Sequence, residues 1–328
     1  MRFRRRLIDG IPIAEMRVAE GWKRLSGVQT VTKLLAGADL DVTDTGLMPF
    51  LQLDAVGRSE LVALGRSLPD AGTGSHTALL PIIPQSFRDF MLHEAHVINA
   101  SREMARRFMP SVFPITQVFE KLARKPFPKF KPHKLWYQQP IYYLSSHINM
   151  VTDGDQLAWP RYCDALDYEL EIGAVLAHPL RNATPDDAKA AIGGFVVLND
   201  FSARDVQIDE MQSGFGPQKS KHFGSSISAE IVTADEILPR LERLTGTVKI
   251  NGETIADVSS HGGQFTLPEA IAFASQSEAL VPGELFGSGT LPGGAGIENG
   301  AMVGPGDTLT LTIDGLGSLT NIVGSKEP

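Results

Sequence analysis

Glu169 and Glu171 stand two apart in Asp167-Tyr168-Glu169-Leu170-Glu171-Ile172-Gly173, a run that otherwise reads as a buried strand. A strand alternates its side chains, so the two carboxylates share one face while Leu170 and Ile172 share the other. Two carboxylates side by side repel each other and are costly to desolvate unless a cation lies between them. An all-oxygen pair points to a hard ion: Mg²⁺, Mn²⁺ or Ca²⁺. The same pattern also suits an edge strand whose acids face solvent, so the pair needs support from elsewhere in the chain.

Three segments offer it. Gly194-Phe195-Val196-Val197-Leu198-Asn199-Asp200 is an apolar strand that ends on a carboxylate, although Asp200 or Ser202 could equally cap a helix. Arg204, Gln207 and Met211 follow at helical spacing, which turns Arg204 and Gln207 toward one side. Lys221 lies in Lys219-Ser220-Lys221-His222-Phe223-Gly224-Ser225-Ser226, a lysine followed by a turn of small residues where backbone N–H groups can approach an anion. Arg88 to His96 reads as the opening of a helix that places Asp89, His93 and His96 on one face by i, i+4, i+7 spacing. Either histidine could instead be an ordinary hydrogen-bonded residue at a helix end.

These residues must be positioned by a strand-rich body. Residues 1–80 mix short helical patterns, Glu15 to Leu25 and Ser59 to Leu68, with Gly- and Asp-rich turns, and are read as a small N-terminal α+β domain. Pro81-Ile82-Ile83-Pro84 forms a stiff extended connector into a larger domain, 81–328. There the texture changes to short strands with close turns: Tyr168 to Leu176, Gly194 to Leu198, Gly246 to Ile250 and Thr308 to Ile313. Asn251-Gly252 between two such runs is the pair that a type I′ hairpin turn prefers. Between Arg102 and Lys134 nine basic residues face only Glu103 and Glu120, with Phe and Pro interleaved. That stretch suits either a lid attracting an anionic substrate or a solvated basic face beside a dimer partner.

Composition narrows the function classes. With 328 residues, 42% hydrophobic and 21% charged, the chain can bury one large core or two unequal ones. A formal charge of −8 argues against a nucleic-acid surface and favours small-molecule partners. Met1 to Arg6 is basic like the start of a signal peptide, but Asp9, Gly10 and Pro12 break the apolar stretch that a signal peptide needs next. No apolar run approaches the ~18 residues of a membrane helix, and the expected location is cytoplasmic. Cys163 is the lone cysteine, which excludes an intrachain disulfide framework and a thiolate-clustered zinc site. It has no nearby histidine in sequence and reads as a small packed residue.

Taken in order, these motifs resemble the fumarylacetoacetate hydrolase family over roughly residues 85–325. The resemblance is carried by Asp89 seven positions before His96, by Glu169-x-Glu171, and by Asn199-Asp200 followed by Ser202-Ala203-Arg204-Asp205. Lys221 with Gly224-Ser225, Gly287-Ser288-Gly289-Thr290, Gly304-Pro305-Gly306-Asp307 and Asp314-Gly315-Leu316-Gly317 extend it. Met211 departs from the family's frequent tyrosine there, and residues 1–80 show no clear resemblance. Tyr143 matches a substrate-contacting tyrosine, with Tyr142 the alternative.

The resemblance implies a sheet-rich α+β roll or barrel, a homodimer, and a divalent metal on Glu169, Glu171 and Asp200, with Asp89 contributing directly or through water. It implies cleavage of a carbon–carbon bond in an acylpyruvate or similar β-diketone, giving a carboxylic acid and a 2-oxo acid. His96, oriented by Glu94 or another acid, would activate water, with His93 the rival base. Lys221 and Arg204 would offset negative charge or hold a substrate carboxylate. Tyr143, Gln207, Gly224, Ser225 and Thr290 would hold the remaining substrate oxygens. Decarboxylation or isomerisation of a 2-oxo acid is the alternative within the family. A non-catalytic metal-dependent binding protein is the alternative outside it.

Overall fold

The apolar runs Leu170–Leu176 and Ile192–Asn199 are buried at every position and pair antiparallel, with Leu170 opposite Asn199 and Glu171 opposite Leu198. They form the centre of the fold in a computed structural model that describes residues 1–43, 46–72 and 76–328. The main path of the larger sheet runs Gly21–Arg24, Ile11–Val18, Arg2–Ile8, Glu230–Thr233, Ile192–Asn199, Leu170–Leu176, Leu285–Gly287, Phe87–Phe90, Tyr142–Ser145. A second sheet runs Glu253–Ser259, Thr245–Ile250, Thr308–Ile313, Gly317–Lys326, Gln156–Trp159. The architecture is mixed α+β and sheet-rich, as expected, and among the described residues the strand order does not close into a barrel.

Alternation along the central strands sorts side chains between two cores. Phe195 and Val197 pack into one with Leu170, Ile172, Phe286 and Leu311, while Val196 and Leu198 pack into the other with Phe3, Phe50 and Leu61. Residues 1–80 therefore share a core with the central strands, and Arg2–Ile8 pairs directly with Glu230–Thr233.

Two expected helices are strands. Glu15 to Leu25, read as helical, lies in Ile11–Val18 and Gly21–Arg24. Pairing with Arg2–Ile8 sets Glu15 opposite Arg4, and the fully buried Glu15 carboxylate accepts from Arg4 Nε at 2.6 Å and Arg6 Nε at 2.9 Å. A charge so placed is tolerable only with those partners, which fixes the strand register over the local helical pattern. Asp89 likewise lies on the strand Phe87–Phe90, parallel to Leu285–Gly287 and antiparallel to Tyr142–Ser145, and the helix begins only at Glu94. Burial of Phe87 and Phe90 between those neighbours decides for the strand.

The second helical pattern and the hairpin turn are both present. The second helical pattern becomes Ala55–Leu64, capped by Asp54, whose side chain accepts from Gly57 N at 2.7 Å. Asn251 and Gly252 both have positive φ, 52° and 84°, in a two-residue hairpin turn. The basic segment forms helices within Glu94–Phe108 and Phe113–Ala123, joined by Arg102 to Glu120 at 3.0 Å. Among the described residues no helix is long and apolar enough to cross a membrane.

Leu198 is fully buried, with Cδ2 2.9 Å from where a Cβ on Gly287 would stand. Leu198→Ala should therefore cost about 2–5 kcal/mol in chemical denaturation, and a loss within about 0.5 kcal/mol would contradict this packing.

Candidate metal centre

Three separate segments bring one carboxylate each to a point beneath the sheet. Asp89 comes from the strand Phe87–Phe90, Glu171 from Leu170–Leu176, and Asp200 directly follows Ile192–Asn199. Each offers an oxygen within 4.8 Å of the others, and all three residues are buried. The strand Leu285–Gly287 lies between the first two, with Gly287 opposite both Asp89 and Gly173. A Cβ on Gly287 would stand 2.3 Å from Asp89 Oδ1 and 2.7 Å from Glu171 Oε2, so only glycine leaves the carboxylates room. Gly289, with φ +72°, donates its N–H to Glu171 Oε2 at 3.1 Å.

The electrostatics of this triad call for a cation. Burial first, and then the neighbouring Asp200 charge, push the Asp89 carboxyl well above the usual range. Burial, followed by Asp89 and Asp200, does the same to Glu171. Asp89 Oδ1 and Glu171 Oε1 are buried with no hydrogen-bond donor among the described residues. Buried acceptors without donors are costly, and an all-oxygen set of this kind fits a hard divalent ion.

Glu169 lies beside the triad, in a different electrostatic setting from Glu171. Its Oε1 accepts from Arg204 Nη2 at 2.8 Å, and its Oε2 accepts from Lys221 Nζ. Burial would raise its pKa, but the charges of Lys221 and Arg204 outweigh that and hold Glu169 below the ordinary range. Lys221 also donates to Asp200 and to Ser202 Oγ at 2.7 Å. Burial would lower the Lys221 pKa, but Asp200 and Glu169 raise it, so the ammonium stays charged. Arg204 Nε donates to the buried Asp167 at 2.7 Å, and its Nη1 donates to Gln207 Oε1 at 3.0 Å.

The other expected residues divide. Tyr143 donates to Asp200, and Ser225 Oγ donates to Asp200 Oδ1 at 3.2 Å, whereas Tyr142 meets Arg88 at 3.2 Å. Burial, then the Asp200 charge, raises the Tyr143 pKa and keeps it a proton donor. Thr290 is buried in the loop after Gly289. A Cβ on Gly224 would come within 2.6 Å of Leu157 Cδ1, so Gly224 serves a close packing contact. Met211 is 51% exposed.

Of the two histidines, His96 faces the carboxylates, with Nε2 3.7 Å from Glu169 Oε1. Its Nδ1 lies 2.9 Å from Glu298 Oε2, and that side chain is also held by the Gly293 N–H. The acid beside His96 is thus Glu298, while Glu94 accepts from Tyr137 OH and lies 3.8 Å from Lys131. His93 turns away: its Nε2 meets Ser260 O at 3.2 Å, and it lines a separate cavity with Leu92, Ser260 and Phe265.

Sequence reasoning missed Glu298 and gave Asp167 and Ser202 no role in this network. Asp167 opens the Glu-x-Glu motif and could have been queried as a buried acid. Glu298 has only the preceding run of small residues, 293–296, as a signal.

Residues 116–324 match the profile described as "Fumarylacetoacetate (FAA) hydrolase C-terminal". The chain belongs to the fumarylacetoacetate hydrolase family. An uncharacterized protein of Staphylococcus saprophyticus is 31% identical over 192 residues, 57% of this chain and 62% of that protein. The 4-hydroxyphenylacetate degradation bifunctional isomerase/decarboxylase of Escherichia coli is 25% identical over 248 residues, 69% of this chain and 55% of that protein. The chain thus spans under two thirds of the length of both. Among solved structures, a fumarylacetoacetate hydrolase from Exiguobacterium antarcticum superposes with TM-score 0.69 at 18% identity, covering 99% of this chain and 100% of that one. A maleylpyruvate hydrolase from a Sphingobium species, in complex with manganese(II) and pyruvate, gives TM-score 0.68 at 16% identity, covering both chains completely. At those identities the structural likeness establishes the fold.

Gly287→Ala places a methyl group among the carboxylates. It should weaken Mn²⁺ binding by at least about tenfold in calorimetric titration while circular dichroism stays native, and unchanged affinity would contradict the assigned cluster.

Proposed function

We propose that this chain is a divalent-metal-dependent hydrolase that cleaves a carbon–carbon bond in an acylpyruvate or similar β-diketone, releasing a carboxylic acid and a 2-oxo acid. The observation that carries the reading is the His96–Glu298 pair beside a buried carboxylate triad. Asp89, Glu171 and Asp200 would hold Mg²⁺ or Mn²⁺, with Glu169 the fourth candidate from the sequence motif. Such an ion polarises the oxygens of a chelating dicarbonyl and offsets the charge of the enolate that bond cleavage leaves.

The chain's own residues account for the rest. Glu298 is the proposed acceptor for the His96 Nδ1–H, a pairing that would orient the ring with Nε2 toward the carboxylates as the base. Nε2 then takes a proton from water as the water oxygen attacks the distal carbonyl. The carbon–carbon bond breaks with its electron pair passing to the 2-oxo acid enolate, and a proton returned to that carbon completes the products. Lys221 and Arg204 supply fixed positive charge to a developing oxyanion or to a substrate carboxylate. Tyr143, Gln207, Ser225 and Thr290 are the proposed partners of the remaining oxygens, with Gly224 shaping the turn beside them. The basic segment 102–134 is proposed as a lid, since Lys131 reaches Glu94 at the start of the helix that carries His96.

Isomerisation or decarboxylation of a 2-oxo acid is the second reading, supported by the two activities for which the Escherichia coli relative is named. A histidine paired with a carboxylate favours hydrolysis, because decarboxylation needs no attacking water.

The test is to offer metal-stripped protein a panel of acylpyruvates and oxaloacetate, with and without Mg²⁺ or Mn²⁺, and to identify the products. A carboxylic acid plus pyruvate, formed only with metal, is expected. Carbon dioxide from oxaloacetate alone would overturn the hydrolase reading. Within a hydrolase, His96→Ala should lower kcat by about 10²–10⁴-fold with substrate affinity retained, and Glu298→Gln should lower it by roughly 10–100-fold. Full activity in His96→Ala would remove His96 from its role as base.

A further inference from the structure

Lys221 is the cation that enters the carboxylate cluster most directly, yet it sits on a surface connection rather than on a strand or helix. The helix Arg204–Gln212 ends near Ser213, and the chain then turns through Gly214 (φ +84°) and Gly216 (φ +78°). From there it returns to Lys221 before entering the strand Ser225–Ile227. A strap of this kind needs an anchor, because an unanchored loop would spread a long lysine side chain over many positions.

Glu210, less than two turns along the same helix from Arg204, supplies an anchor. One carboxylate oxygen accepts from Lys219 N at 2.8 Å. The other accepts from Gln218 N at 2.7 Å, Ser220 N at 3.1 Å and Ser220 Oγ at 2.6 Å. Three successive backbone N–H groups and a hydroxyl thus converge on one side chain, as they do in an anion-binding nest. Directly beyond them, Ser220 O accepts from Ala203 N at 2.8 Å, and Lys221 Nζ meets Ser202 Oγ, Glu169 and Asp200. The helix, the strap and the lysine form a closed loop, and the Glu210 carboxylate is a link in it that lies outside the carboxylate cluster.

We propose that Glu210 is a positioning residue: its carboxylate clasps the 213–220 strap to the helix that carries Arg204 and Gln207, and so holds Lys221 within the carboxylate cluster. Burial pushes the Glu210 carboxyl up, but the hydrogen bonds from Ser220, Gln218 and Lys219 outweigh it and hold it below the usual range. The clasp is therefore complete at neutral pH and is lost only as the pH falls through that depressed value. Glutamine has the same shape but reproduces the clasp only in part, because its NH₂ replaces one of the two accepting oxygens and faces the N–H donors on that side, and the negative charge is gone.

The test uses the Mg²⁺-loaded chain with Glu210→Gln. Amide hydrogen exchange at Gln218, Lys219 and Ser220 should accelerate by at least about tenfold, with the melting temperature held within about 3 °C. Lys221, which is 3% exposed, should become at least about fivefold more reactive toward an N-hydroxysuccinimide ester, read by mass spectrometry. For turnover, which alone rests on the hydrolase reading, kcat should fall by about 10–100-fold while KM changes by less than about threefold. Unchanged exchange, or faster exchange with Lys221 still unreactive, would overturn the clasp. Unchanged kcat in an active enzyme would overturn its role in the reaction. A wild-type chain inactive on the panel would count against the hydrolase reading, and the exchange and labelling results would still decide the clasp. If Glu210→Gln fails to fold, Ser220→Ala removes only the hydroxyl bond and should move exchange and labelling in the same direction by less. No movement there would count against the clasp.

Discussion

Five carboxylates, Asp89, Asp167, Glu169, Glu171 and Asp200, are buried together against two buried cations, Arg204 and Lys221. Desolvating that much negative charge is the constraint on which the rest of the structure depends, because an unpaired buried carboxylate is strongly destabilising. Arg204 and Lys221 pair with Glu169, Asp167 and Asp200, which leaves Asp89 and Glu171 with no ion pair among the described residues. The surroundings are built to keep that deficit open. Gly287 leaves volume where any side chain would intrude, and the Gly289 N–H satisfies only one oxygen of Glu171.

The arrangement also separates tasks between residues that look alike. Glu169 and Glu171 stand two apart, but one is fixed by a guanidinium and an ammonium while the other faces two acids. His93 and His96 stand three apart across a helix start, and only His96 meets the cluster. A strand end, a helix start and a loop each contribute one group, so the geometry depends on register between distant segments.

That dependence explains how much is legible in the sequence. The Glu-x-Glu pair, Asn199-Asp200 and the Arg204 helix are readable because each is a local pattern on one element. Asp89 is recognisable as a candidate, but its spacing suggests a helix, since its i, i+7 relation to His96 spans a strand, a bend and a helix start. Glu298, 202 residues from His96, leaves no local trace, because its pairing with His96 exists only once the short helix Gly296–Asn299 packs against the helix carrying His96. Glu15 behaves the same way: its helical pattern is overridden by Arg4 and Arg6 on a neighbouring strand.

Asp89, Glu171 and Asp200 are proposed to hold a divalent cation together. Anomalous diffraction from crystals grown with Mn²⁺ tests it most directly. A single strong peak within about 2.0–2.3 Å of an oxygen from each of the three is the expected result, with Lys221 still bonded to Glu169. A peak elsewhere, or none at saturating Mn²⁺, would contradict the account.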